Sequence, residues 1–129
     1  MKKLSLIILT YNSEKDIYDC LDSVYKYNDI GDSLEIIVVD NNSDNYIQMQ
    51  KNIMEQYPDV QIIANQKNGG YGQGNNLGIK VASAPIISIM TLPPECDVVV
   101  SIESASRVLI PSLTTSLSTI ISIVCLKVF

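Results

Sequence analysis

The feature that most constrains this chain is a run of four β-branched residues, 36–39, that ends abruptly at an acid, Asp40. An unbroken apolar run of this kind is typical of a strand that is buried on both faces, as in parallel sheets. The change of character at Asp40 marks the carboxyl end of that strand. Because ligands of open α/β sheets bind outside the carboxyl ends of the strands, Asp40 is the first candidate for a ligand contact.

Alternation of short apolar runs with amphipathic segments continues over residues 4–90. This strand–helix order predicts an α/β, Rossmann-like fold with a mainly parallel sheet, in which the first two loops lie side by side at the carboxyl edge. The predicted strands cover residues 4–9, 34–39, 60–64 and 86–90, and the predicted helices begin at about Glu14, at about Tyr46 and within the glycine-rich segment after Ala64.

Two details of the helices follow from local patterns. Ser13 and Asp16 have the spacing of a capping box, which predicts that the Ser13 hydroxyl caps the first helix. In the second helix, Ile47, Ile53 and Met54 are the apolar residues expected to face the core.

Composition excludes several classes of function. The 129 residues carry 9 basic and 14 acidic side chains, a net charge of −5, whereas a sequence-independent nucleic-acid binder needs a basic face. The chain has no histidine, so histidine-based catalysis and histidine metal ligands are excluded. The three cysteines, Cys20, Cys96 and Cys125, lack metal-ligand and redox spacing, which favours a reducing, cytoplasmic compartment.

The glycine-rich segment, residues 69–78, contains neither common phosphate motif. A dinucleotide fingerprint that starts at Gly70 and Gly72 needs a third glycine where the chain has Asn75, and a phosphate loop needs Lys and Ser or Thr after Gly74. The segment still offers backbone that approaches a ligand closely, together with the amides of Asn68 and Asn75. The alternative is an ordinary turn and helix start.

Polar groups at the ends of the first two strands form a second candidate cluster. A carboxylate at position 40 can accept a hydrogen bond from a ring N–H, such as that of a pyrimidine base, while Thr10 and Tyr11 on the neighbouring loop offer backbone groups and an aromatic wall. The alternatives are helix capping by Asp40, Asn41 and Asn42, and simple packing of Tyr11.

Taken together, residues 6–12, 37–43 and 68–78 resemble family 2 glycosyltransferases with a GT-A fold, in motif, order and separation. The last of these segments is most similar to the rhamnosyltransferase-like branch of surface-polysaccharide assembly. The resemblance implies transfer of a sugar from a UDP- or dTDP-linked donor to a glycan or lipid-linked acceptor, with inversion. The substrate-binding residues that it implies are Thr10, Tyr11, Asn12, Asp40, Asn41, Asn42, Asn68, Gly69, Gly70 and Asn75.

The same resemblance implies a divalent cation, Mg²⁺ or Mn²⁺, bound by an acid after the fourth strand. Here Glu95 and Asp97 have acid–x–acid spacing but follow later than in the family, so Asp97 is the metal candidate and two solvated loop acids are the alternative. Oxygen ligands of this kind suit both cations.

Residues 91–129 differ in composition from the rest, since every glycine, asparagine and tyrosine lies at or before Gly78. We therefore expect a nucleotide-sugar-binding domain over residues 1–90 and an atypical, unfolded or frame-shifted tail over residues 91–129. No acid after residue 97 matches the family's catalytic base, so the chain is expected to be a partial transferase with weak or no activity.

Two other functions remain open from the sequence. One is a non-catalytic nucleotide-binding or interaction module, tethered at the inner face of the membrane by the uncharged residues 108–126. The other is a nucleotidyltransferase, although residues 10–13 lack the glycine-rich, basic loop that such enzymes place after the first strand.

Overall fold

The computed structural model describes residues 1–92 and 120–123. It confirms the α/β class that the strand–helix order predicts. The elements are β1 (Leu4–Thr10), α1 (Glu14–Tyr27), β2 (Leu34–Asp40), α2 (Tyr46–Gln56), β3 (Gln61–Ala64), α3 (Gly70–Val81), β4 (Ile86–Thr91) and β5 (Ile120–Ile123).

All strand pairs are parallel, in the order β3-β2-β1-β4-β5. The chain first builds the sheet outward from β1 to β3 and then returns to place β4 on the other side of β1. The strand order therefore reverses between β1 and β4, where a crevice opens at the carboxyl edge of such sheets. Register pairs Thr10 with Asp40 and Leu9 with Thr91, so the ends of β1, β2 and β4 are level.

Each face of the sheet has its own core, because successive side chains of a strand point to opposite faces. Ile8 and Val38 pack with Ile17 and Leu21 of α1 on one face, and Ile7 and Val39 pack toward α3 on the other. All of these strand residues are fully buried. Complete burial of each such side chain stabilises the fold by about 1.5–3 kcal/mol.

The expected inner face of α2 is wrong at two of its three residues. Ile53 is buried, but Ile47 and Met54 are 76% and 57% exposed, and Met49 occupies the core instead. Positions 49 and 53 lie one turn apart on one stripe, whereas positions 47 and 54 form a second apolar stripe about 130° away around the helix. The packing of α2 on β2 selects one stripe, and the local pattern does not distinguish them.

The expected cap by Ser13 is also not formed. Its hydroxyl donates to the Tyr11 carbonyl oxygen at 2.9 Å, and the Ser13 backbone carbonyl accepts from Ile17 N at 3.0 Å. The Ser13 side chain therefore stabilises the loop after β1 rather than the first turn of α1.

Beyond residue 90 the structure describes the end of β4, Leu92 and β5. Because β5 lies within the 108–126 segment and pairs with β4, a membrane-spanning helix over that whole segment is wrong. No helix within residues 1–92 is long and apolar enough to cross a membrane. The metal candidate Asp97 and the residues of the 108–126 segment other than β5 lie outside the described residues. The domain boundary near residue 90 stays a prediction.

Candidate functional site

The loops after β1 and β2 are joined at the carboxyl edge of the sheet. Asn41 N donates to the Thr10 carbonyl oxygen at 2.8 Å, and Leu92 N donates to the Leu9 carbonyl oxygen at 2.9 Å. These bonds continue the ladder past the last strand residues. The residues directly after β2 and β4, Asn41 and Leu92, are therefore held against the end of β1 by backbone hydrogen bonds.

Ser43 connects the Asp40 carboxylate to the loop after β1. Asp40 is fully buried, and its two carboxylate oxygens accept from Ser43 N at 2.8 Å and Ser43 Oγ at 2.5 Å. Ser43 Oγ also accepts from Asn12 N at 2.8 Å, and Asn12 Oδ1 accepts from Asp44 N at 3.0 Å. The two loops thus form one hydrogen-bonded unit, and the carboxylate keeps further lone pairs for other donors.

This unit depends on two asparagines with left-handed backbone. The φ angles of Asn12 and Asn42 are 48° and 72°, a region that asparagine enters more readily than most residues.

The Asp40 carboxylate also affects Tyr46, the first residue of α2. Burial raises the pKa of Tyr46 and the Asp40 carboxylate raises it further, so this phenol remains protonated at neutral pH.

An amide network ties the start of α3 to the end of β2. Asn41 Nδ2 donates to Asn68 Oδ1 at 2.8 Å and to the Gly70 carbonyl oxygen at 3.4 Å, and Gly70 N donates back to Asn68 Oδ1 at 3.0 Å. Asn65, buried at 8% exposure, donates from Nδ2 to Asn41 Oδ1 at 2.7 Å and to Gln73 Oε1. The glycine-rich segment is therefore fixed to the sheet by side-chain amides.

Two of the glycines have a packing role. A Cβ atom on Gly74 would lie 2.6 Å from Leu9 Cδ1, and one on Gly78 would lie 2.6 Å from Ile7 Cγ2. The glycines one turn apart let α3 lie directly on β1. The turn and helix start, which is the alternative left open by the sequence, thus accounts for part of the segment, and close packing of the two glycines on the sheet accounts for another part. The first turn of α3 is exposed.

Two cavities open at this edge. The first, of about 250 Å³, lies where the strand order reverses. It is lined by Leu9, Thr10, Tyr11, Asn41, Asn68, Gly70, Tyr71 and Leu92. The second, of about 260 Å³, is lined by Asn12, Ser13, Glu14, Ser43, Asp44, Asn45 and Met49. No lysine or arginine lies among these lining residues, all of which belong to the described part of the chain.

Most of the substrate-binding residues expected from the sequence come together here. Five line the first cavity, namely Thr10, Tyr11, Asn41, Asn68 and Gly70, and Asn12 lines the second.

The other four expected residues line neither cavity. Asp40 is buried, and Asn42 and Gly69 are exposed nearby. Asn75 is half-buried on α3, and its Oδ1 atom has no hydrogen-bond partner among the described residues.

Several residues of the site were not among those expected from the sequence. Tyr71 and Leu92 line the first cavity, Ser43 holds the Asp40 carboxylate, and Asn65 holds Asn41. Tyr71 lies within the matching glycine-rich segment, which was the signal that could have identified it. Asn65 follows a short strand with no local pattern of its own, so only the tertiary structure reveals its partners.

The described residues do not fit a divalent cation by themselves. Within residues 1–92 no three acidic or thiol side chains come together. The metal candidate Asp97 lies outside the described residues.

These observations define an α/β domain in which polar residues and two cavities gather at the carboxyl edge of a parallel sheet. A solved structure with the same fold is the mannosyltransferase PcManGT from Pyrobaculum calidifontis, in complex with GDP-Man and Mn²⁺. It matches with a TM-score of 0.61 and 26% identity, over 66% of this chain and 26% of that one. The fold is therefore GT-A-like.

The family model for glycosyl transferase family 2 matches residues 5–92, and the chain belongs to this family. Among curated relatives, the uncharacterized glycosyltransferase YibD of Escherichia coli is 33% identical over 94 residues, which are 72% of this chain and 26% of YibD. The poly(ribitol-phosphate) beta-glucosyltransferase of Bacillus spizizenii is 36% identical over 87 residues, which are 66% of this chain and 14% of that enzyme. The chain thus spans about a quarter or less of these relatives.

Proposed function

We propose that residues 1–92 bind the nucleoside diphosphate part of a nucleotide-sugar donor. A family 2 glycosyltransferase transfers the sugar of this donor to a glycan or lipid-linked acceptor. The observation that carries this proposal is the meeting of the β1, β2 and α3 loops around the first cavity, at the point where the strand order reverses. Ligands of open α/β sheets occupy that position.

The lining of the first cavity supports a division of roles. Tyr11, 37% exposed, offers an aromatic wall for a base, and the buried Thr10 hydroxyl has no partner among the described residues. Asn68 and Gly70 stand at the start of α3, where helix N–H groups and the helix dipole favour the negative charge of a diphosphate. Asp40, with Asn41 and Asn42 beside it, is proposed as the acceptor for a ring N–H of the base.

The reaction is proposed to be a direct displacement with inversion. A bond forms between the acceptor oxygen and the anomeric carbon, the bond from that carbon to the diphosphate oxygen breaks, and the nucleoside diphosphate leaves with the electron pair. A carboxylate base takes the acceptor proton, and no described residue is assigned to that role.

A divalent cation is proposed to neutralise charge on the leaving diphosphate. Support comes from the Mn²⁺ in the complex of the mannosyltransferase relative and from the lack of lysine and arginine among the lining residues. Asp97 is the candidate ligand. Asp97→Asn is expected to abolish any Mn²⁺ dependence of nucleotide binding, whereas Glu103→Gln, a matched acid-to-amide change, is expected to retain it.

Calorimetric titration of the chain with UDP, dTDP and GDP, each with and without Mn²⁺, tests donor binding. We expect UDP or dTDP to bind. A preference for GDP would instead indicate a guanine nucleotide, as in the complex of the mannosyltransferase relative. Tyr11→Ala should weaken binding, and Tyr27→Ala, an exposed tyrosine at the far end of α1, should not. Lack of binding to every nucleotide would refute the proposal.

Turnover is measured separately with radiolabelled donor and a glycan acceptor. The weak activity expected of this chain and the rhamnosyltransferase-like branch both stay predictions. A rate equal to that of full-length family members would contradict the first, and a preference for another donor sugar would contradict the second.

A further inference from the structure

Asn65 is a buried amide that lies just outside the first cavity. Its backbone N–H donates to the Asp40 carbonyl oxygen at 2.8 Å, which extends the β2–β3 pairing by one residue. Its side chain then turns toward α3, where Nδ2 donates to Gln73 Oε1 and Oδ1 accepts from Gln73 Nε2 at 3.4 Å. The same Nδ2 donates to Asn41 Oδ1 at 2.7 Å.

The direction of this network is set by backbone groups, which cannot exchange donor for acceptor. Gly70 N must donate, and it does so to Asn68 Oδ1, while the Gly70 carbonyl must accept, and it does so from Asn41 Nδ2. A reversed Asn41 amide would place its oxygen against the Asn68 and Gly70 oxygens. Asn41 Oδ1 therefore has to face Asn65, and it needs a donor there.

We propose that Asn65 is a positioning residue for donor binding, acting as the amide donor that fixes Asn41 and, through it, the first turn of α3. Asn65 is not among the residues that line the cavity, whereas Asn41, Asn68 and Gly70 are. The inference rests on the proposed function, because its effect is read as nucleotide affinity. Groups held in place before binding lose less entropy on binding, which raises affinity.

Asn65→Asp tests the donor directly, because it keeps the side-chain shape and replaces the N–H donors by oxygens. At neutral pH the new carboxylate faces Asn41 Oδ1 and Gln73 Oε1, and nucleotide affinity is expected to fall by about tenfold or more, the factor for one lost buried hydrogen bond. Gln66→Glu is the matched control. It makes the same amide-to-acid change at an exposed neighbouring residue and should leave affinity unchanged.

The pH dependence separates positioning from a general loss of structure. A protonated carboxyl group at position 65 regains one O–H donor, so the affinity of Asn65→Asp relative to wild type should recover as the pH falls toward the carboxyl range. Dividing the affinity of the variant by that of wild type at each pH removes the effect that titration of the nucleotide has on both affinities. Gln66→Glu should show no such recovery.

Hydrogen exchange of the nucleotide-free chain gives a second readout. In Asn65→Asp the amides of residues 69–73 should exchange faster than in wild type, while those of β1 and β2 stay protected. If Asn65→Asp does not fold, Asn65→Ala removes the same donor without adding a charge, and weaker nucleotide binding is again expected.

The outcomes distinguish the two proposals. If the wild-type chain binds no nucleotide, the proposed function fails. If wild type binds and the Asn65 variants bind equally well, or if affinity falls without recovery at low pH and without faster exchange of residues 69–73, the positioning role is overturned and the proposed function stands.

Discussion

Gly78→Ala tests how closely α3 lies on the sheet. A Cβ atom at this position would lie 2.6 Å from Ile7 Cγ2, 3.2 Å from Ile7 Cγ1 and 3.2 Å from Val39 Cγ2. Ordinary carbon contacts are about 3.5–4.0 Å, so the helix and strand must separate by about 1 Å. Ile7 and Val39 are fully buried, β-branched and paired within the sheet, and they have little freedom to move.

The size of the effect follows from two opposing terms. Alanine gains about 1 kcal/mol over glycine inside a helix, whereas overpacking of a tight core costs about 1–3 kcal/mol. We expect Gly78→Ala to lower the free energy of unfolding by up to about 2 kcal/mol. Gly72→Ala is the matched control in the same helix, because a Cβ atom there meets nothing within 4 Å, and it should stabilise the chain by up to about 1 kcal/mol.

Urea denaturation followed by circular dichroism measures both variants. The unfolding midpoints should move in opposite directions, and in thermal unfolding each kcal/mol corresponds to roughly 4 °C for a domain of this size. If Gly78→Ala stabilises the chain as much as Gly72→Ala does, α3 does not pack on β1 as closely as the structure has it, and the reasoning fails.

Three further predictions concern single side chains. Burial raises the pKa of Glu35, but hydrogen bonds from Ser5 and Ser83 and the charge of Lys2 outweigh burial, so the pKa is lowered in the folded chain. The contribution of Glu35 to stability is therefore complete above the unfolded pKa of 4.5 and is lost as the pH falls through the folded pKa. Glu35→Gln should therefore destabilise the chain at neutral pH in urea denaturation, with a difference from wild type that shrinks under acid; an unchanged difference there would contradict this. Ser43→Ala should cost about 1–3 kcal/mol in the same assay, because the buried Asp40 carboxylate loses a donor, and a neutral result would show that the contact is not maintained.

The third prediction concerns the reactivity of Cys20. Its thiol is fully buried, and burial raises the pKa of this thiol to about 12. In a variant with Cys96 and Cys125 changed to serine, Cys20 should react with a thiol reagent at pH 8 only after unfolding. Rapid labelling of the folded chain would refute its burial.

The sequence by itself determined the fold class and the edge at which polar residues meet. The apolar run of residues 36–39 and the acid after it are local signals, and strand periodicity depends on neighbouring residues alone. The chain order of strands and helices followed from these patterns. That Thr10, Tyr11, Asn41, Asn68 and Gly70 belong to one site was implied by the resemblance to family 2 glycosyltransferases, and these residues line one cavity.

Only the tertiary structure decided which partners these groups have. That β4 lies beside β1, that Met49 and not Ile47 is buried, and that the Asp40 carboxylate is held by Ser43 all depend on contacts between segments distant in the chain or on one choice among equivalent faces. Asn65 shows the reason most clearly, because an asparagine after a short strand carries no periodic signal. Its role follows from the direction of hydrogen bonds that exist only once β2, β3 and α3 have assembled.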